Sequence, residues 1–283
     1  IVGSQAGQCA TTLGNITLMG FLAGQKNIAN GTTAVGSYAI ACNTTGAYNT
    51  AVGYASQNYT TTGGGNTSVG YQALYTNNCA GAHNSVVGSF AMVSNTSGSC
   101  NVAVGTCSLC SNTTGGNNVA VGFRALCSNT TAANNIAVGR QALFSNTTGC
   151  ENVAVGLCAL YSNNCSECSA HYNTAVGNYA LMSNTAQSNT AVGYCALADN
   201  TTGATNTAVG ENALHQNTTG SCNVALGRQA MFENETGNCN IAIGNNALIC
   251  HCSGNGNIAI GRRALNNDCT GASNTVIGTD AMC

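Results

Sequence analysis

The residues in this chain most able to do chemistry are its 18 cysteines and four histidines. Cys165-x-x-Cys168 followed by His171 has a metal-like spacing, as does Cys107-x-x-Cys110. A structural zinc needs four ligands within tetrahedral reach, and the reading favoured for these cysteines is a disulfide or a free thiol. His83, His171, His215 and His251 fall at different phases of the pattern described below, so they form no ladder and read as isolated surface groups. The eight Asp plus Glu are scattered, with no recurring carboxylate pair for acid–base or glycoside chemistry. The glycines do not build a phosphate loop. The sequence therefore predicts no catalytic residue, no metal and no cofactor, and the expectation is a protein that is not an enzyme.

A second chemistry is covalent modification. The sequon N-x-[ST] occurs at Asn15, Asn30, Asn43, Asn58, Asn66, Asn95, Asn112, Asn129, Asn146, Asn164, Asn200, Asn217 and Asn234. An even number of cysteines in a charge-poor chain reads as an oxidised framework, which points outside the cytoplasm or to the cell surface. The chain opens on Ile1 without a visible secretory signal, which fits a processed product or a piece of a longer chain.

Composition removes several classes of partner. Only 5% of residues are charged, against about 25% in ordinary domains. Six Lys plus Arg and a net charge of -2 cannot build a basic footprint for nucleic acid. No apolar run approaches the roughly 20 residues of a membrane helix, so no membrane insertion is expected of this chain. With 44% hydrophobic residues it is not a disordered chain either.

What positions all these residues is a repeat. Aligning on the glycine that follows an aliphatic residue gives 17 anchors, from Gly3, Gly20 and Gly36 to Gly244, Gly261 and Gly278. Most intervals are 17 residues, and Gly156 to Gly177 is 21. The unit approximates N-[TVI]-A-[VI]-G-x-x-A-L-x-x-N-T-T-G-x-x. Four residues before the anchor, the last 14 repeats all carry Asn, from Asn49 to Asn274.

A 17-residue period is too short for a helical hairpin but suits one turn of a β-solenoid, with coils stacked about 4.8 Å apart. The expected fold is all-β: a single β-solenoid, a parallel β-roll or β-helix of about 17 coils over 1–283, with 1–32 as divergent N-terminal repeats. Seventeen such coils would make a rod of roughly 80 Å. The Val, Ile and Thr of N-x-A-V favour a strand, and the glycine anchor and N-T-T-G favour turns. Strand alternation puts the residues one and three before the anchor on one face, taken as the core, and the Ala between them on the other. The Asn column before the anchor is expected to form an amide ladder, and the 21-residue repeat to bulge around Cys165 to His171.

Four site expectations follow from phase. Cysteines at equal phase on consecutive coils should pair, foremost Cys110 with Cys127, then Cys222 with Cys239 and Cys252 with Cys269. Cys9 and Cys283 are nearly in phase and are candidates for a bond between subunits. Asn43, Asn95, Asn112, Asn129, Asn146, Asn200, Asn217 and Asn234 share one position, seven residues after the anchor, and should form a glycan stripe in an exposed turn. The Ala column of Ala103, Ala120, Ala137 and Ala154 should line a contact with another chain.

The runs Asn49-Thr50-Ala51-Val52-Gly53, Asn101-Val102-Ala103-Val104-Gly105 and Asn257-Ile258-Ala259-Ile260-Gly261 resemble the head repeats of trimeric autotransporter adhesins. They are also similar to the N-T-A-V-G repeats of phage-fibre and other surface-fibre proteins. The resemblance covers nearly the whole chain and is weakest over 1–32. It implies a parallel β-roll, display on a surface, and three chains side by side.

The functional expectation is an extracellular structural fibre or filament subunit, assembling with itself by end-to-end stacking of coils, disulfide-stabilised and carrying covalent glycans. Its partner would be another copy, as homopolymer or homotrimer. The alternative is the adhesive head of a trimeric surface adhesin or fibre. A third reading is an ice-binding solenoid, from Thr columns such as Thr113, Thr130 and Thr147.

Overall fold

The computed structural model describes residues 1–9, 14–76, 81–164, 170–250 and 252–282. It divides into two compact units, Ile1–Gln141 and Ala142–Cys283. Both are built of three-residue parallel strands, one per repeat, with no helix among the described residues. The first unit holds β1 (Thr17–Met19), β2 (Thr33–Val35), β3 (Thr50–Val52), β4 (Thr67–Val69), β5 (Ser85–Val87), β6 (Val102–Val104), β7 (Val119–Val121) and β8 (Ile136–Val138). The second holds β9 (Val153–Val155), β10 (Thr174–Val176), β11 (Thr190–Val192), β12 (Thr207–Val209), β13 (Val224–Leu226), β14 (Ile241–Ile243), β15 (Ile258–Ile260) and β16 (Thr275–Ile277). Within each unit every strand pairs in register with the next, so Val102, Ala103 and Val104 sit over Val119, Ala120 and Val121. The expected β-solenoid is therefore the fold of each unit. Val2, before the first anchor, makes an isolated parallel bridge to Met19.

A strand of three residues cannot be stable alone, so the backbone spends its polar groups along the stack. Val119 N–H donates to Asn135 O at 2.8 Å, Gly122 N–H to Val104 O at 2.8 Å, and Leu109 N–H to Ala125 O at 3.0 Å. The corners bond between coils as regularly as the strands do. Closing a ring in 17 residues requires sharp corners, and these are left-handed residues that recur at three places per coil. In the coil anchored at Gly122 they are Arg124, Leu126 and Asn134, with φ of 55°, 49° and 60°. Each costs about 1 kcal/mol or more for a residue with a Cβ, offset by the bonds and packing to the coils above and below.

The interior is narrow. Around the same coil, the inward residues are Ala120, Ala125, Leu126, Asn129, Ala132 and Asn135, all buried. One leucine per coil supplies most of the apolar volume, and alanines fill the rest. This reverses the face assignment made from the sequence. Ala103, Ala120, Ala137 and Ala154 are fully buried inside their own coils, so the column offers no surface to another chain; the Val, Ile and Thr on either side of each point outward. The physical reason is width: with a leucine on one side of so narrow a coil, the other side mostly takes a methyl group, and the larger Leu18 enters where Gly24 stands in place of the leucine.

Polar residues that enter the Ala and Leu columns find hydrogen-bond partners there: Ser108, alone in its coil, donates through Oγ to Gly105 O at 2.9 Å. In the coil anchored at Gly53, Ser56 and Gln57 replace the usual Ala and Leu, and Ser68 replaces Ala in the next strand. Ser56 and Ser68 share a hydrogen bond, and Gln57 Nε2 donates to Ser68 Oγ at 2.9 Å and to Thr50 O at 2.9 Å. A polar side chain there without such a partner would cost about 1–3 kcal/mol.

Candidate functional site

Two of the six inward side chains around the coil anchored at Gly122, Asn129 and Asn135, are amides. The Asn column before the anchor is the expected ladder: Asn118 N–H donates to Asn101 Oδ1 at 3.0 Å, and Asn118 Nδ2 to Ala132 O at 2.9 Å. The row seven residues after the anchor is a second ladder. Asn112 Nδ2 donates to Asn95 Oδ1 at 2.9 Å and to Gly115 O at 3.0 Å; Asn129 Nδ2 donates to Asn112 Oδ1 at 2.7 Å. In the second unit Asn217 Nδ2 reaches Asn200 Oδ1 at 2.7 Å and Asn234 Nδ2 reaches Asn217 Oδ1 at 2.8 Å. Asn43 binds Asn27 and Gly46 in the same way.

The glycan stripe is therefore corrected. Asn43, Asn95, Asn112, Asn129, Asn146, Asn200, Asn217 and Asn234 are fully buried. N-glycosylation puts a sugar carbon on Nδ2 in place of a hydrogen, and in Asn112 both Nδ2 hydrogens are committed. Sugar on this row would replace a ladder bond and demand space that the interior does not have. Peptide mapping of folded chain made in a glycosylating host should find these residues bare. A sugar on Asn112 of soluble, folded chain would refute the buried ladder.

Among the described residues the cysteines are partly or fully exposed thiols rather than bridges. Cys110 and Cys127 are half-buried, and share a hydrogen bond between sulfurs rather than a covalent bond. That bond raises the Cys110 thiol, with burial adding to it, and lowers Cys127. Cys222 and Cys239 are exposed thiols, and Cys252 hydrogen-bonds Cys269 without a bridge. The three predicted disulfides are thus brought to adjacent coils but not formed. Cys9 is exposed, whereas Cys283, Cys165, Cys168 and His251 lie outside the described residues. His171 accepts a hydrogen bond from the Cys150 backbone at 2.6 Å through Nδ1. Among the described residues no group of three or more His, Cys, Asp or Glu could hold a metal, and no helix is long and apolar enough to cross a membrane. The Thr hydroxyls of the ice-binding reading are engaged along the stack: Thr96 Oγ1 donates to Thr113 O at 2.9 Å, and Thr113 Oγ1 to Thr130 O at 3.0 Å.

Two outward features remain. The first is the outer face of the strands, with Val in most coils of the column before the anchor. Val69, Val87, Val104 and Val138 are exposed in the first unit, and Val155, Val176, Val209 and Ile243 in the second. The second is a run of aromatic rings just after the anchors. Phe21, Tyr38, Tyr54, Tyr71 and Phe90 lie on five successive coils, with ring centroids 5.5, 5.9, 5.4 and 5.1 Å apart. Beside them Tyr59 and Tyr75 meet edge to face at 5.1 Å. An open groove of about 340 Å³ runs between the two rows, lined by Tyr38, Tyr54, Tyr59, Tyr75 and the carboxamides of Gln25, Asn58 and Gln72. The sequence reading missed this groove. Its signal in the sequence is an aromatic one or two residues after the anchor in five consecutive repeats, Phe21 to Phe90.

No protein-family model matches the chain, and neither the curated proteins nor the solved structures contain a significant match.

Proposed function

We propose that this chain is a structural fibre element, displayed outside the cytoplasm, that associates with further copies of itself. The observation that carries this reading is the outward strand face. Over the eight strands of each unit it is an uncharged strip of Val, Ile and Thr measuring about 400 Å². A patch of that size matches the largest on an ordinary monomer, which is often functional. Two such flat faces can meet dry, with β-branched side chains interdigitating. Burying one unit's strip on both copies removes about 800 Å² from water, the size of a weak contact. Association should therefore strengthen with the number of coils engaged, as suits a fibre. Along the other axis, each coil presents the same strand, corner and amide-ladder bonds to the coil that follows, whether in this chain or another copy. In an oxidising compartment Cys110 and Cys127 are the pair placed to staple consecutive coils.

The test uses residues whose side chains leave the coil. The double variant Val104→Glu, Val138→Glu should fold as the parent does and lose concentration-dependent association, with the dissociation constant rising at least ~10-fold from like-charge repulsion across the face. Sedimentation equilibrium reads this. A parent chain that stays monomeric at its highest attainable concentration, or a variant that associates equally well, removes the proposal. The groove favours a second reading, the adhesive head of a surface fibre, in which the solenoid is the scaffold and the aromatic rows bind.

A further inference from the structure

The geometry points to the groove between Tyr38, Tyr54, Tyr59 and Tyr75 as a binding site for a neutral oligosaccharide or polysaccharide strand. The inference deepens the adhesive reading and does not rest on self-association through the strand face, which is formed by the residues before the anchor rather than by the rings after it.

The argument rests on what lines the groove. Tyr54 and Tyr59 are 48% and 43% exposed, so a large part of each side chain is open to a ligand. Rings held in a contact column lose little freedom on binding, because their neighbours already fix them. A pyranose offers one face of C–H groups, which suits an aromatic ring, and a rim of hydroxyls. Each hydroxyl both donates and accepts, and the groove's polar groups match: the carboxamides of Gln25, Asn58 and Gln72, and the phenols of the tyrosines. The Tyr75 phenol is raised by burial and then by its hydrogen bond to Tyr59, which leaves its oxygen lone pairs to accept from a sugar hydroxyl. No charged side chain lines the groove, so the ligand class it selects is uncharged rather than sialylated or sulfated.

The repeat gives the site a direction. The lining residues come from the four coils anchored at Gly20, Gly36, Gly53 and Gly70. Those coils span about 14 Å along the stack, and one coil spacing is close to the length of one sugar unit in a linear glycan. A strand lying along the stack would meet an aromatic or an amide at each step. An extended proline-rich peptide also uses aromatic grooves. It presents mainly carbonyl acceptors, however, and would leave the amide oxygens of Gln25 and Gln72 without donors. The glycan is the better match.

The experiment titrates the full chain with linear hexasaccharides of glucose, mannose, galactose and N-acetylglucosamine, and with a proline decapeptide, by calorimetry. At least one hexasaccharide should bind with a dissociation constant below ~1 mM, the range of a small contact of this kind. Tyr54→Ala and Tyr75→Ala should each weaken it at least tenfold, while Tyr54→Phe, which keeps the ring, should retain most of the binding. Tyr172→Ala, at an exposed tyrosine of the second unit, should change nothing. Thermal melts of each variant separate lost binding from lost folding. No binding by any hexasaccharide, equal binding by the Tyr54→Ala and Tyr75→Ala variants, or tighter binding of the proline peptide overturns the assignment. Sedimentation of Tyr54→Ala should match the parent, so failure of the groove and failure of the fibre reading are told apart.

Discussion

Replacing Ala120 with Glu should break the solenoid at its coil, whereas Val121→Glu on the same strand should leave the coil folded. Ala120 sits at the centre of β7 with no exposure, directly over Ala103 and under Ala137. A glutamate there would direct its carboxylate toward Ala125 and Leu126, where no cation is available. Burying an unpaired carboxylate costs several kcal/mol even after relaxation. Overpacking a space shaped for a methyl group adds about 1–3 kcal/mol. Together these rival the roughly 5–15 kcal/mol that holds a typical domain. In a repeat stack the damage should be local, because stability is a sum of coil and interface terms. The expected result is fast amide exchange and new proteolytic cleavage over the coils carrying β6 to β8, with protection kept in coils farther away. Val121→Glu places its charge in solvent and should shift the melting temperature little. Equal protection of the parent and Ala120→Glu chains would show that the alanine column faces outward after all.

That contrast marks where reading the sequence stopped being sufficient. The period, the glycine anchors and the Asn column from Asn49 to Asn274 were legible because each is forced by stacking: identical coils need identical corners, and in-register amides bond their own copies. The strand position was also legible from Val102-Ala103-Val104 and its equivalents. The facing of that strand was not. Alternation tells which residues share a side but not which side is inside, and side-chain size alone favours the wrong one. The clue lay in what each column tolerates. The position three before the anchor alternates freely between Thr, Ser, Val and Ile, as a half-exposed site can. The middle position is almost always Ala, as a cramped site must be. The second Asn row was read as exposed because N-T-T-G is good turn chemistry. In a coil this narrow, a turn residue can still point inward, and Asn112 and Asn129 do. The aromatic groove emerges only when separate coils are stacked, since Gln25 and Tyr75 are far apart in sequence.

The anchor glycines carry the second large effect. Gly122 has φ of +136°, outside the regions open to residues with a side chain, and a Cβ built on it would lie 2.5 Å from the carbonyl oxygen of Gly139. Gly105 has φ of +128° and faces Gly122 in the same way at 2.6 Å. The obstacle is backbone, which cannot swing aside as a side chain could. Gly122→Ala must therefore both occupy a strained conformation and push the next coil away, weakening the 2.8 Å bonds from Gly122 N–H to Val104 O and from Gly139 N–H to Val121 O. Strain of this type costs about 1–3 kcal/mol, and the lost bonds about 1 kcal/mol each. A total near 3 kcal/mol lowers the melting temperature by roughly 6–12 °C in a domain of this size. The control is Gly256, at φ of +70° with only Ser273 Oγ within reach at 3.8 Å. Asn already stands at the equivalent corner in Asn117 and Asn134, with φ of 57° and 60°, so Gly256→Asn should melt within a degree or two of the parent, as a tolerated left-handed substitution does. Paired thermal melts decide the matter. If Gly122→Ala melts with the parent, the anchor is not held by close approach of successive coils, and the stacking geometry assigned to it is wrong.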